Sequence, residues 1–304
     1  MVNSMKKVKI ITILLTVISI ALTVSSCKKE KEEPVNDNEP GSLVKTLDLD
    51  GKQMDYLHFG NDEGRKLVIL PGVALKSVMG SAEAIVSAYQ TLAENYDIYL
   101  FDHIKLEPEG YSIDDMAEDT ITAFKKLGLD HVKIMGVSMG GMVAQAIAIK
   151  NPETVDALVL CSTASKVSDS SKTVFETWIK LAKEKDLKGL MESFGEKVYT
   201  PSFYEQYKDI IVSSGEGTSE TDYQNFIISN YAIVTFNDYD ELERIKCPVF
   251  VIGAGLDLVF GPQESLDIAD RLNCEYYIYE EHGHGVYDEA PDYLTRIKSF
   301  LDIQ

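Results

Sequence analysis

Short apolar runs alternate with helical segments along most of this 304-residue chain. Between residues 67 and 161 four apolar runs are separated by three helical segments, and the same alternation resumes at residue 249. The turn signal Asp50-Gly51 predicts a hairpin over residues 43–59. Because repeated strand–helix units need crossover connections, the chain is expected to form a mostly parallel sheet with helices on both faces.

The alternation stops between residues 164 and 243. This stretch has a helical pattern and is rich in aromatic residues. It predicts a helical cap inserted into an α/β core that consists of residues 43–163 and 244–304. Most of the aromatic side chains are expected to pack the cap onto the core, whereas Trp178 and the tyrosines near 199–207 are expected to line an apolar substrate site.

The segment Gly136-Val137-Ser138-Met139-Gly140 follows the apolar run 132–137 and opens a helical pattern. A serine between two glycines at a strand-to-helix junction is the nucleophile-elbow pattern. Small neighbours let the sharp turn close, which explains Gly136 and Gly140. The turn then presents the Ser138 hydroxyl at the start of a helix, where negative charge is stabilised.

A serine hydroxyl needs a base before it can act as a nucleophile. His58, His103 and His131 precede the serine in sequence and are expected to be surface or strand-end residues. His282 and His284 follow the last predicted strand, residues 276–279, and are therefore the candidates for the base.

The C-terminal part of the chain resembles the α/β-hydrolase superfamily, whose pattern is matched by Gly283-His284, by Glu289-Ala290-Pro291 and by Phe300-Leu301. The resemblance implies the α/β-hydrolase fold over about residues 43–303, with His284 as the base. It also implies that Asp257, in the loop after the predicted strand 249–252, orients the imidazole. The order Ser138, Asp257, His284 is the order expected for this fold.

An oxyanion hole needs two backbone N–H groups aimed at one point. One donor is expected from Met139, and the resemblance implies Val73 as the second. The superfamily usually has His-Gly before the second donor, whereas this chain has Pro-Gly at 71–72. A second departure lies at residues 102–111, where Asp102 is kept but the glycine-rich segment of many relatives is replaced.

These residues predict acyl transfer from a small carboxylic ester to water, with no cofactor or metal. A serine at position 138 argues against the aspartate nucleophile of dehalogenases and epoxide hydrolases. Three alternatives stay open: a peptidase or amidase with the same triad, an acyltransferase, and a non-catalytic binding protein on this fold. The amidase would need acidic groups placed for a substrate amine, which an acidic cap could supply.

The N-terminus reads as a targeting segment. Three lysines among the first nine residues precede an apolar run over residues 10–24, which is too short for a comfortable membrane span. The run ends in small residues before Cys27 and is similar to the lipobox of bacterial lipoproteins. It predicts a signal peptide over residues 1–26, lipidation of Cys27 and a flexible tether over residues 27–42. The protein is then expected to be exported and anchored through its lipid to a bacterial cell membrane; an ordinary cleavable signal is the alternative.

The chain carries a formal net charge of −20. Such a surface repels phosphate backbones, so nucleic acid is excluded as a partner. Solubility alone accounts for the acidity.

Overall fold

The computed structural model describes residues 42–304. Within this range the strands form one eight-stranded sheet in the order β1-β2-β4-β3-β5-β6-β7-β8. The strands are β1 (Val44–Leu49), β2 (Lys52–Gly60), β3 (Arg65–Leu70), β4 (Tyr96–Ile104), β5 (Val132–Val137), β6 (Val155–Cys161), β7 (Val249–Ala254) and β8 (Glu275–Tyr279). The first hairpin and the β2–β4 pair are antiparallel, and all later pairs are parallel. The predicted mostly parallel sheet is confirmed.

Helices cover both faces of the sheet. Their bounds are α1 (Ala82–Ala88), α2 (Gln90–Ala93), α3 (Ile113–Leu127), α4 (Met139–Lys150), α5 (Asp169–Glu184), α6 (Leu187–Val198), α7 (Pro201–Ser213), α8 (Glu220–Thr235), α9 (Pro262–Leu272), α10 (Val286–Glu289) and α11 (Tyr293–Ile303). Side chains of α1, α2 and α11 share one buried cluster, and those of α3, α4 and α9 share the other. Along β3, Leu67 and Ile69 enter the first cluster while Val68 and Leu70 enter the second, as the alternation of a strand requires.

Strand β4 is longer than the sequence indicates. The apolar run 98–101 predicts an end before Asp102, but β4 continues to Ile104. The nine-residue strand β2 offers antiparallel partners over this length, and Ile104 pairs with Met54. Backbone pairing therefore extends β4 through polar residues that carry no strand signal.

The four helices α5–α8, here called the helical block, lie between β6 and β7 and make hydrogen bonds to loops at the carboxyl ends of the sheet strands. The ammonium of Lys76, after β3, donates to the carbonyl of Ser214. After β8, the N–H of Gly285 donates to the carbonyl of Val198 at 2.7 Å. The block therefore covers the edge of the sheet where the predicted nucleophile stands.

The predicted signal peptide, Cys27 and nearly all of the predicted tether lie outside the described residues. Residues 42–304 contain no helix with both the length and the apolar character that a membrane crossing requires.

Candidate active site

Ser138 occupies a strained turn between β5 and α4. Its φ of 53° and ψ of −120° lie where a side chain is rarely tolerated. Neighbouring backbone holds the turn in place. The N–H of Ser138 donates to the carbonyl of Cys161 at 2.8 Å, and the hydroxyl of Thr163 donates to the carbonyl of Ser138 at 2.7 Å.

Both glycines of the elbow are required by close backbone packing. A Cβ at Gly136 would strike the carbonyl oxygen of Gly140, and a Cβ at Gly140 would strike the carbonyl oxygens of Leu70 and Pro71. Backbone oxygens cannot move aside as a flexible side chain could. The turn that lifts Ser138 therefore depends on glycine at both positions.

Ser138, His284 and Asp257 form one buried hydrogen-bonded chain. The Nε2 atom of His284 lies 3.0 Å from the Oγ atom of Ser138, and its Nδ1 atom lies 2.8 Å from an Asp257 oxygen. Asp257 follows β7, and His284 follows β8, so adjacent parallel strands deliver both side chains to the same edge. His282, the other candidate base, instead packs the edge of its ring against Tyr279.

The Asp257 carboxylate is held ionised by its surroundings. Burial favours the neutral acid, but His284 and the backbone N–H groups of Val259 and Phe260 outweigh it and hold the pKa below its usual value. Those two N–H groups donate to Oδ1 at 2.8 and 3.0 Å, while Oδ2 faces the imidazole. The carboxylate can therefore fix Nδ1 as the protonated nitrogen, which leaves Nε2 free to accept the serine proton.

The predicted oxyanion donors lie beside the serine. Met139 is the first residue of α4, so its N–H has no partner within the helix. Gly72 is so near that an added Cβ would lie 3.1 Å from the Cβ of Ser138, and Val73 follows it in the wall of the adjoining cavity. That Met139 and Val73 bind the oxyanion stays a prediction.

An apolar cavity of about 150 Å³ adjoins the serine. We call it the apolar cavity; its main walls are Val73, Leu75 and Val137 from the core with Leu190, Met191, Phe194, Tyr199, Ile211 and Phe226 from the helical block. The core and the helical block therefore both contribute apolar side chains to it. Lys76 is the one residue with a formal charge among the described residues that line it.

Of the aromatic residues predicted to line an apolar substrate site, Tyr199 lines the apolar cavity, whereas Trp178, Tyr204 and Tyr207 do not. Trp178 is almost fully buried, packs edge-on against Phe175 and donates its indole N–H to Ser193 at 3.2 Å. It therefore stabilises the helical block internally. No sequence motif marks Leu190, Met191 or Ile211. They can be recognised as cavity-lining residues only in the folded structure.

A second pocket, of about 240 Å³, is lined in part by the loop after β3, residues 71–77, which is here called the oxyanion loop. We call it the polar pocket; its charged side chains are Asp55, Asp102, Glu107, Asp222, Lys76 and Lys105. It shares Gly72, the Ala74–Ser77 stretch and Phe226 with the apolar cavity. Ser138 packs against Gly72, which lines both spaces.

Two of the remaining histidines, His58 and His131, have local partners. The ring of His58 lies 2.6 Å from Asp97, and that of His131 lies 3.1 Å from Asp156. His58, Asp62 and Asp97 bring their ligand atoms within 4.8 Å of one another, which is the spacing of a metal site. The hydrogen bond between His58 and Asp97 accounts for the close approach of these two side chains.

Glu289 links the loop that carries His284 to the helical block. Its place in the Glu-x-Pro pattern did not reveal this role. Its carboxylate accepts the N–H of Gly283, the residue before His284, at 3.2 Å. It also accepts the N–H of Thr200, at the start of α7, at 2.7 Å.

Glu289→Ala is expected to lower the free energy of unfolding by about 1–3 kcal/mol, because two partly buried N–H groups lose a charged acceptor. Glu289→Gln, which keeps one acceptor oxygen, should lie between the alanine variant and the wild type. Urea unfolding measures the difference, with the exposed Glu281→Ala as control. Equal stabilities of the two alanine variants would show that the bridge contributes nothing.

Glu107, in the polar pocket, is expected to make the free energy of unfolding depend on pH. Burial and the nearby charge of Asp102 raise its pKa to about 8, although the Ser229 hydroxyl opposes the shift. In the unfolded chain a glutamate ionises near pH 4.3. Between these values the folded protein holds one proton more than the unfolded chain, so raising the pH favours unfolding by up to about 1.4 kcal/mol per unit.

Glu107→Gln removes this titratable group. The free energy of unfolding of the variant, relative to that of the wild type, should therefore rise as the pH goes from 5 to about 8. Urea unfolding at several pH values measures the difference. A difference that does not change with pH would contradict the raised pKa.

Comparisons with known proteins agree with the observed architecture. The sequence model described as alpha/beta hydrolase fold matches residues 67–291. A protein from Agrobacterium fabrum that carries the name carbamate hydrolase RutD is 24% identical over 257 residues, covering 81% of this chain and 98% of that relative.

Two solved structures show the same fold at low identity. The enol-lactonase from Burkholderia xenovorans LB400 superimposes with a TM-score of 0.73 at 17% identity, covering 85% of this chain and all of that one. MGS-M2, an alpha/beta hydrolase enzyme from a deep-sea metagenome library of the Medee basin, gives 0.76 at 22% identity, covering 85% of this chain and 97% of that one.

Proposed function

This chain belongs to the alpha/beta hydrolase fold family, and from that premise we propose that it is a serine hydrolase that cleaves small carboxylic esters. The observation that carries the proposal is the hydrogen-bonded chain Asp257–His284–Ser138, with links of 2.8 and 3.0 Å, beside an apolar cavity. A positioned nucleophile, base and orienting acid are the minimum equipment for acyl transfer.

In the proposed reaction His284 removes the Ser138 proton as the oxygen attacks the ester carbonyl carbon. The amides of Met139 and Val73 stabilise the oxyanion, and His284 then returns the proton to the departing alkoxide. Water, activated by the same imidazole, hydrolyses the acyl-enzyme. Asp257 holds the imidazole and stabilises its cationic form throughout.

The apolar cavity favours an ester with an apolar acyl part. Aliphatic and aromatic walls stabilise hydrocarbon by removing it from water, and the cavity volume limits its length. The names of the relatives, a lactonase and a carbamate hydrolase, describe substrates with an acyl carbon bonded to oxygen or nitrogen. An alkoxide is a better leaving group than the nitrogen of an amide or carbamate. We therefore favour ester cleavage as the reaction.

A series of p-nitrophenyl esters tests this proposal. We expect kcat/KM to rise with acyl length until the apolar cavity is filled and then to fall. Leu190→Phe narrows the cavity and should move the optimum to a shorter chain, whereas Leu106→Phe, on the exposed surface, should not. No ester turnover by the wild type would reject the esterase, and turnover of the matched p-nitroanilides instead would establish the amidase alternative.

The export signal forms a separate proposal. We infer from residues 1–27 that the protein is exported and lipid-anchored to a bacterial cell membrane through Cys27. Fractionation of a bacterial host should place the full chain with the membranes and Cys27→Ser outside them. If the wild type and Cys27→Ser were both cleaved and released as soluble proteins, the segment would be an ordinary signal peptide.

A further inference from the structure

The polar pocket lies close to the place of the proposed chemistry. Gly72 lines both the polar pocket and the apolar cavity and packs on Ser138, so both spaces reach a direct neighbour of the proposed nucleophile. Loops from the core and helix α8 from the helical block enclose the polar pocket together. A group attached to the scissile ester can therefore reach it without leaving the protein.

Acidic groups dominate this pocket. Four carboxyl groups and two lysines face it. Both lysines are engaged in the wall: Lys76 donates to the carbonyls of Ser214 and Glu216, and Lys105 lies 3.0 Å from Asp55. An anionic ligand would therefore be repelled by the remaining carboxyl groups, and both lysines already make contacts within the wall.

Two carboxyl groups form the inner wall. Glu107 is 8% exposed and accepts a hydrogen bond from the Ser229 hydroxyl, 2.9 Å from each oxygen. Asp102 accepts from the Ser77 hydroxyl and from the N–H of His103. Their mutual repulsion and burial disfavour the ionised form of Glu107, a cost that a bound cation would relieve.

An unused polar atom lies in the same wall. The Nε2 atom of His103 is buried and has no hydrogen-bond partner among residues 42–304. Buried polar atoms are nearly always paired, so this nitrogen is an unmet hydrogen-bonding atom in the wall of the pocket. A neutral imidazole nitrogen and two carboxyl groups are all able to accept N–H donors.

We propose that the polar pocket is a subsite for a protonated amine of the substrate, so that the physiological ester carries an ammonium group near its scissile bond. This proposal rests on the proposed esterase function and names its substrate class. The ammonium is attracted to Asp102 and Glu107 and donates to one of these carboxyl groups, while the apolar end of the substrate fills the apolar cavity.

Two pairs of esters test the subsite, because each pair differs by one atom. In the alcohol part, 2-(dimethylamino)ethyl butanoate is compared with 3-methylbutyl butanoate. In the acyl part, ethyl 4-(dimethylamino)butanoate is compared with ethyl 5-methylhexanoate. At pH 7 the nitrogen is protonated, and we expect kcat/KM to favour the amine in at least one pair by about tenfold or more.

Substitutions in the polar pocket test whether the preference for the amine esters arises there. Glu107→Gln and Asp102→Asn keep the side-chain shape and should reduce the ratio of amine to neutral ester by about tenfold. Glu109→Gln makes the same substitution at an exposed position on the same loop and should leave the ratio unchanged. Because a ratio within one variant is compared, a loss of folded enzyme does not imitate the effect.

Equal rates within both pairs would overturn the ammonium subsite, and so would a preference that Glu107→Gln and Asp102→Asn leave intact. Hydrolysis of the neutral esters in either case would leave the esterase standing. Hydrolysis of no ester in either pair would reject the esterase itself and the subsite with it.

Discussion

Ser138→Ala is expected to lower kcat/KM for p-nitrophenyl esters by three to six orders of magnitude, roughly the range found when a triad nucleophile is removed. The variant keeps both elbow glycines and the hydrogen bonds made by the backbone of Ser138, because these use main-chain atoms. The oxyanion donors are also unchanged. Loss of rate would thus report the missing hydroxyl rather than a collapsed turn.

A neighbouring serine provides the control. Ser162 is also fully buried and also has a positive φ, 45°. Its hydroxyl has no hydrogen-bond partner in the part of the chain that the structure describes. Ser162→Ala should therefore retain ester hydrolysis. If both alanine variants kept wild-type rates, the nucleophile would lie elsewhere and the acyl-enzyme mechanism would be wrong.

Asp257→Asn is expected to reduce kcat/KM by about 10³–10⁴-fold. The two carboxylate oxygens have different tasks: one accepts two backbone N–H groups and the other accepts Nδ1–H of His284. An amide has a single acceptor oxygen. If that oxygen keeps the backbone contacts, the NH₂ group faces Nδ1 and selects the imidazole tautomer whose Nε2 is protonated and cannot accept the serine proton.

The rate loss in Asp257→Asn should occur in kcat, because the residue faces the imidazole and not the substrate. Asp270→Asn, an exposed carboxylate on the helix after Asp257, is the matched control and should match the wild type. A wild-type kcat for Asp257→Asn would show that this carboxylate only supports its loop, and the orienting acid would have to be sought elsewhere.

The sequence was most informative where backbone geometry restricts the choice of residue. Repeated strand–helix alternation predicted the sheet, and the strained elbow left a readable glycine pattern around Ser138. The sequence also placed Asp257 and His284 after successive strands, and the structure brings both to the serine. Their catalytic roles are proposals, but their proximity follows from parallel strands that end at the same edge.

The sequence was less informative where tertiary packing decides. Trp178 was expected in the substrate site because it is aromatic, yet the amphipathic packing of α5 directs it into the helical block. The polar pocket combines β4, the oxyanion loop and α8, which are far apart in sequence. Glu289 was recognised as part of a pattern, but its bridge to Thr200 depends on how the helical block docks.

Covalent labelling tests directly whether Ser138 is the nucleophile. The folded domain starting at Ser42 would be treated with a fluorophosphonate, digested and analysed by mass spectrometry. We expect one phosphonyl group on the peptide that contains Ser138, with labelling abolished in Ser138→Ala and retained in Ser162→Ala. An unlabelled Ser138 in folded protein, or an adduct on another residue, would contradict the assignment of Ser138 as the nucleophile.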